Sequence, residues 1–245
     1  MVEWRDEAIV LGLGRHGESS AIVSLLTRAH GRYRGLVRGA YGKNGRGVLL
    51  PGNRVAAWWR ARLAEHLGAL RCELVDAHAA RVMADAGRLD ALAAACALCE
   101  AVLPERQAHG ATFESLTALL SGLEAEAWPS IYVHWELALL RDLGYGLDLG
   151  SCAATGANDN LAFVSPKSGR AVSLSAGEPY RDRLLPLPGF LVAGREGDKD
   201  EIRDGLRLTG FFLERHGLTG GGAGLPAARL RLASRFGADP ANLEN

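Results

Sequence analysis

Glycines cut the first 76 residues into short runs, and that punctuation limits the fold more than any other feature of the chain. The runs Ala8–Leu13, Ser20–Thr27, Arg32–Arg38, Arg54–Arg62 and Ala69–Val75 have strand length, with Gly14, Gly17, Gly31, Gly52 and Gly68 between or beside them. Short runs bounded by turn formers read as β-strands. The segment Gly39–Gly47 is too glycine-rich for a strand and is expected to be a mobile basic loop.

Five strands in about 75 residues fit a small closed barrel, and the five-stranded OB-fold is the usual solution at that size. From His78 the pattern turns helical. Leu89, Leu92, Cys96, Cys99 and Leu103 recur at three- and four-residue steps until Pro104 stops them. Phe113, Leu116, Leu120 and Leu123 mark a second helix, and Ile131, Trp135, Ala138 and Asp142 a third, closed by Gly144 and Gly146. Residues 148–185 lose the helical period and read as a short irregular or β insert. Helix returns over Glu201–Arg215, followed by a glycine-rich bend at Gly217–Gly224 and a last basic helix over Leu225–Phe236. The class is therefore α+β. Its expected parts are an OB-fold barrel at 1–77, a helical domain at 78–147, the insert at 148–185, and helices at 186–245 completing the helical domain.

Charge is the second constraint. The 245-residue chain balances 28 basic against 28 acidic side chains. Residues 1–76 nevertheless hold 12 basic and 7 acidic groups, a surplus of +5 that the remainder offsets. Between Ser19 and Ala64 there are nine cations (Arg28, Arg32, Arg34, Arg38, Lys43, Arg46, Arg54, Arg60 and Arg62) and no carboxylate. Such a block attracts a polyanion, and nucleic acid is the commonest one. Strand alternation puts Arg32, Arg34 and Arg38 on one face, roughly 6.6 Å apart per two-residue step, and Tyr33, Gly35 and Val37 on the other. On the next strand Val55, Ala57 and Trp59 suit the core. Trp58 then lies outside beside Arg60 and Arg62, where an indole suits base stacking. No recognition helix, zinc finger or basic zipper is present, so binding is expected to ignore sequence and to depend strongly on salt.

Longer strings carry a resemblance. Gly17-Glu18-Ser19-Ser20, Leu25-Leu26-Thr27-Arg28, His30-Gly31-Arg32, Val37-Arg38-Gly39-Ala40 and Leu49-Leu50-Pro51-Gly52 occur in that order. Leu139-Leu140-Arg141-Asp142-Leu143-Gly144-Tyr145-Gly146-Leu147-Asp148-Leu149 follows, with Cys152 after it. Together they resemble the RecO family of bacterial recombination mediators over most of residues 5–155, and more weakly in the C-terminal helices. The resemblance implies an N-terminal OB-fold, a helical domain and a zinc-finger-like insert. It also implies a protein without enzymatic chemistry that binds single- and double-stranded DNA and anneals complementary strands. With RecR, such a protein helps load recombinase on DNA coated by single-strand-binding protein. That partner's acidic C-terminal tail would dock near Phe211, Phe212, Arg215, Arg229 and Arg231, although amphipathic packing argues that Phe211, Phe212 and Leu213 are core. Many relatives carry two cysteine pairs in the insert. Here Cys152 is alone and Thr155 stands where its partner would be. The insert is therefore expected to be zinc-free and held by Leu161, Phe163 and Val172.

Other signals are weaker. Cys96-x-x-Cys99 lies inside an Ala/Leu helix, where a thiolate is desolvated, so an inert pair is expected rather than a redox motif. His134 is expected to be a core or interface histidine. The acid-free basic segment offers no carboxylate cluster for Mg²⁺, which argues against a nuclease. An RNA-binding OB module is the alternative function. No cofactor or metal is expected, no membrane span is present, and few cysteines suit a reducing cytoplasm.

Overall fold

The structure, a computed structural model, describes residues 1–42, 45–218 and 224–238. Five strands close into a barrel in the order β1-β2-β3-β5-β4. They are β1 (Val2–His16), β2 (Ser20–Thr27), β3 (Gly31–Val37), β4 (Arg54–Ala61) and β5 (Ala69–Asp76). All neighbours are antiparallel except β3 and β5, which run parallel and meet at Leu36 and Ala69. The expected strands match these segments closely. Only β1 is markedly longer, its first residues pairing with β4 from Val2↔Ala61 onward.

Alternation builds the core. Ala8, Val10, Ala21, Val23, Leu25, Val55, Ala57 and Trp59 point inward and are buried, with Leu70 closing one side. Trp59 anchors the barrel end, its Nε1 donating to the carbonyls of Arg34 (3.2 Å) and Leu67 (3.1 Å). The turn before β5 must pass tightly over that ring. Gly68 has φ +67°, and a Cβ there would lie 2.4 Å from the indole. Gly31, at φ +75°, is equally constrained, because a Cβ would fall 1.7 Å from the Gln107 carbonyl oxygen. At the start of the glycine-rich segment after β3, Ala40 is buried in the barrel core with Tyr41 packed beside it, and just beyond the segment Leu49 is buried with Val48 beside it; Lys43 and Asn44 lie outside the described residues.

Contacts divide the chain into two units, Met1–Glu124 and Ala125–Asn245. The first joins the barrel to α1 (His78–Val82), α2 (Ala86–Val102) and α3 (Gly110–Gly122). Asp85 caps α2 by accepting from the Gly87 and Arg88 amides, and Pro104 follows its end. Small residues on α2 allow close approach to β1, where the Cys96 thiol meets the Val10 carbonyl at 3.7 Å. The second unit holds α4 (Trp128–Asp142), a small sheet, the single-turn helices α5 (Leu174–Gly177) and α6 (Phe190–Ala193), α7 (Lys199–Phe212) and α8 (Ala227–Arg235). In that sheet β6 (Leu161–Val164) lies between β7 (Ala171–Ser173) and β8 (Leu185–Pro186). Its core is Cys152, Phe163 and Val172, with Leu161 packed against it. Most of the Gly217–Gly224 bend and the end of the chain lie outside the described residues. No described helix is long and apolar enough to cross a membrane.

Candidate nucleic-acid interface

The arginine line on β3 faces outward as alternation requires, yet acids from other elements reach it. Arg32 donates to the Leu103 carbonyl (2.8 Å) and lies 3.4 Å from Glu105, its side chain only 16 % exposed. Arg34 meets the same carboxylate at 2.5 Å. Arg28 is held between Glu7 (3.0 Å) and Glu114, and Arg54 pairs with Glu7 at 3.1 Å. Four of the nine cations are thus set against three carboxylates that lie outside the acid-free segment. The expectation of an unopposed β3 row is corrected here: Arg32 and Arg34 join the barrel to the segment after α2, Arg28 joins it to α3, and Arg54 pairs within the barrel with Glu7 of β1. Lys43 lies outside the described residues. Arg46 is exposed and donates from Nε to the Tyr41 carbonyl (2.8 Å).

A different face concentrates open cations. Across β1, β4 and β5 the register aligns Arg5↔Trp58↔Arg71, and one pleat further Glu3↔Arg60↔Ala69. The Trp58 ring is flanked by both neighbours, Arg5 Cζ at 4.9 Å and Arg71 Cζ at 5.3 Å from its centroid. Cation–π contacts at exposed sites contribute about 0.5–1 kcal/mol each. Arg71 also meets Glu73 at 2.5 Å, both well exposed. Between the two rows runs an open cleft of about 610 Å³, lined by Glu3, Arg5, Trp58, Arg60 and Arg71 and floored by the strands. Arg60 and Arg71 also line a second cleft of about 800 Å³ with Arg38 and His66. Four arginines and one carboxylate, Glu3, therefore line the two clefts together. Arg62, just past β4, is exposed.

Arg5 and Arg71 were not among the expected contacts, because they lie outside the acid-free segment. The signal that finds them is cross-strand register, which needs the barrel order. Arg38, Arg60 and Trp58 were expected, and they line these clefts.

Of the five C-terminal residues expected to meet a protein partner, Phe212 and Arg229 are structural. Arg229 is 1 % exposed, donates from Nε and Nη2 to the two oxygens of Glu136 (2.5 and 2.9 Å), and also reaches the Leu206 carbonyl (2.8 Å). Burial alone lowers a guanidinium pKa, and the Glu136 charge more than reverses that, so Arg229 stays charged. The Thr209 hydroxyl donates to the same carboxylate at 2.5 Å, joining α4, α7 and α8. Phe212 is buried, so Arg229 and Phe212 are withdrawn from the docking surface. Phe211 is half-buried, Arg215 donates to the Pro166 carbonyl (2.8 Å), and Arg231 is exposed. The hollow beside Phe211 holds only about 20 Å³, too little for an aromatic side chain. His134 is exposed on α4 rather than in a core, edge-on to Phe190.

Sequence comparison decides the family. The model for the recombination protein O N terminal matches residues 1–78, and that for the recombination protein O C terminal matches residues 83–219. A DNA repair protein RecO from Rhodospirillum centenum is 56 % identical over 237 residues, covering 96 % of this chain and 95 % of the relative. Relatives of the same name from Rhodospirillum rubrum and Mesorhizobium japonicum are 48 % and 50 % identical. They cover 96 % and 88 % of this chain, and 97 % and 86 % of their own lengths.

The chain belongs to the RecO family.

RecO proteins are DNA repair and recombination mediators, and the α+β architecture with an OB-like N-terminal barrel agrees with that membership. A zinc-finger-like insert is what the resemblance implied, and the residues present do not build one. Cys152 is 1 % exposed, its sulfur accepts from the Ser173 amide (3.2 Å), and Phe163 and Val172 pack around it. No group of three or more potential metal ligands occurs among the described residues. A lone thiol closed in by apolar side chains does not fit a zinc ion that takes four Cys or His ligands. Cys96 and Cys99 are likewise unsuited to redox work: both are buried, burial pushes Cys96 up to about 12, and Cys99 is raised well above its usual value.

Proposed function

We propose that this RecO protein binds single- and double-stranded DNA through the β1–β4–β5 face of its barrel, without reading sequence and without breaking bonds. On that surface it anneals complementary strands and, with RecR, helps recombinase onto DNA coated by single-strand-binding protein. The observation that carries the reading is the pair of adjoining clefts, in which Arg5, Arg38, Arg60 and Arg71 face solvent against a single lining carboxylate. Phosphate contacts of this kind position a strand and supply salt-dependent affinity, but no base identity. The half-buried Trp58 indole between Arg5 and Arg71 adds stacking worth about 1–3 kcal/mol per base.

The test is annealing of complementary oligonucleotides precoated with single-strand-binding protein, in the absence of nucleotide. The full chain accelerates annealing, and Arg38, Arg60 and Arg71 changed together to Ala abolish the acceleration while the melting curve is retained. No acceleration by the wild type, with or without RecR, contradicts the proposal. A clear preference for RNA over DNA of equal length in competition would move the function to RNA metabolism.

A further inference from the structure

Two short segments of the insert share a pattern. Cys152-Ala-Ala-Thr155-Gly156 and Ser173-Leu-Ser-Ala176-Gly177 each set two residues three positions apart and follow them with glycine. Residues 156–172 lie between the two pairs. Two such pairs with roughly 15–20 residues between them have the spacing of a zinc site whose four positions all carry Cys or His. Here only the first position keeps a sulfur.

The fold nevertheless gathers the four positions. The Ser173 amide donates to the Cys152 sulfur at 3.2 Å, and Ser173 Oγ lies 3.4 Å from it. Thr155 bonds the same sulfur through its hydroxyl and its amide. Ala176 packs against the cluster of Cys152, Phe163 and Val172. The glycines permit this closeness. Gly156 takes φ +75° and its amide returns to the Cys152 carbonyl (2.8 Å). A Cβ on Gly177 would lie 2.4 Å from the Phe163 ring. The Ala153 amide, donating to the Ala171 carbonyl (2.8 Å), ties the first turn to β7.

We propose that the insert keeps the backbone of a four-ligand zinc site with its ligand positions at Cys152, Thr155, Ser173 and Ala176, and that hydrogen bonds to the Cys152 sulfur join the two turns in the metal's place. In a zinc site of this spacing the metal cross-links the turns. Here the sulfur does so, bonded to Thr155 on its own turn and to Ser173 on the other. Hydrogen bonds contribute far less than metal–ligand bonds, so Phe163 and Val172 closed around the sulfur supply the rest. Ala176 brings a methyl group and no donor to the fourth position, and belongs to that apolar packing. The shape of the insert is thus independent of metal supply, and its backbone is already placed to accept the missing ligands.

The experiment restores those ligands in the full chain by Thr155→Cys, Ser173→Cys and Ala176→Cys together, followed by titration with Co²⁺ under reducing conditions. The variant takes up one Co²⁺ per chain with the strong charge-transfer absorption of tetrahedral thiolate coordination. Zn²⁺ displaces it and raises the melting temperature, and EDTA reverses the rise. The wild type shows no such band and melts at the same temperature with or without EDTA. Thr155→Val and Ser173→Ala, which delete only hydroxyls, each lower the melting temperature by about 2–4 °C. Should the triple variant fail to fold, Thr155→Cys with Ser173→Cys tests the same geometry through three thiolates and an open fourth position. A folded triple or double variant without the thiolate–cobalt band overturns the proposal. So does a wild type destabilised by EDTA, or hydroxyl deletions that melt as the wild type does.

Discussion

Two faces of one barrel carry arginines in similar number and treat them oppositely. On β3, just after β2 and at the first residue of β4, Arg32, Arg34, Arg28 and Arg54 find Glu7, Glu105 and Glu114. Across β1, β4 and β5 the guanidiniums of Arg5 and Arg71 rest on an indole, and Arg60 and Arg38 line open clefts. The first arrangement spends its charge inside the unit, joining the barrel to the segment after α2 and to α3. The second sets Arg71 against one exposed neighbour on its own strand, Glu73, and leaves the charge of Arg5, Arg38 and Arg60 available to a ligand. A run of cations in sequence is therefore not a patch of charge in space. What decides is whether another element can deliver a carboxylate to the same point.

The extreme of the inward-directed class is Arg229, and the largest effect is expected there. Arg229→Ala leaves Glu136 buried and uncompensated, costing about 3–5 kcal/mol, as read by urea unfolding. Replacing both, Glu136→Leu with Arg229→Met, recovers most of that loss, because desolvating the pair offsets much of its attraction. DNA affinity at temperatures where the single variant is folded stays unchanged. A loss of DNA binding without loss of stability would move Arg229 into the outward-directed class and break the comparison.

A smaller effect sharpens it. Glu105→Gln removes the charge that holds Arg32 and Arg34 and leaves the shape of the site. Affinity for duplex DNA at low salt rises about two- to fivefold, the value of one partly exposed ion pair. No rise would mean that the β3 face points away from bound DNA altogether.

Much of the fold was legible in the chain because its signals are local. The glycine punctuation placed four of the five strands within a residue or so and found the middle of the longer β1, and the inward set Val55, Ala57 and Trp59 followed from alternation alone. The stripe from Leu89 to Leu103 with its proline stop gave α2 for the same reason. The binding face was legible only in part. Trp58, Arg60 and Arg38 were readable as outward positions, but Arg5 and Arg71 come beside Trp58 through pairings that span 53 and 13 positions of the chain. The acids that neutralise β3 come from β1, from the segment after α2 and from α3, a proximity that no local pattern encodes. Arg229 was misplaced for a related reason. A basic helix reads as a surface helix unless its buried partner, Glu136 on α4, is known.

The most direct measurement is the salt dependence of DNA binding for two triple variants of the full chain, Arg38/Arg60/Arg71→Ala and Arg28/Arg32/Arg34→Ala. Each lost phosphate contact reduces the slope of log K against log salt by about 0.7–0.9. The first variant is expected to lose affinity at every salt concentration and to flatten the slope by about 2–3. The second is expected to keep the wild-type slope and lose thermal stability. A flattened slope in the second with an unchanged slope in the first would contradict the account and return DNA to the β3 face.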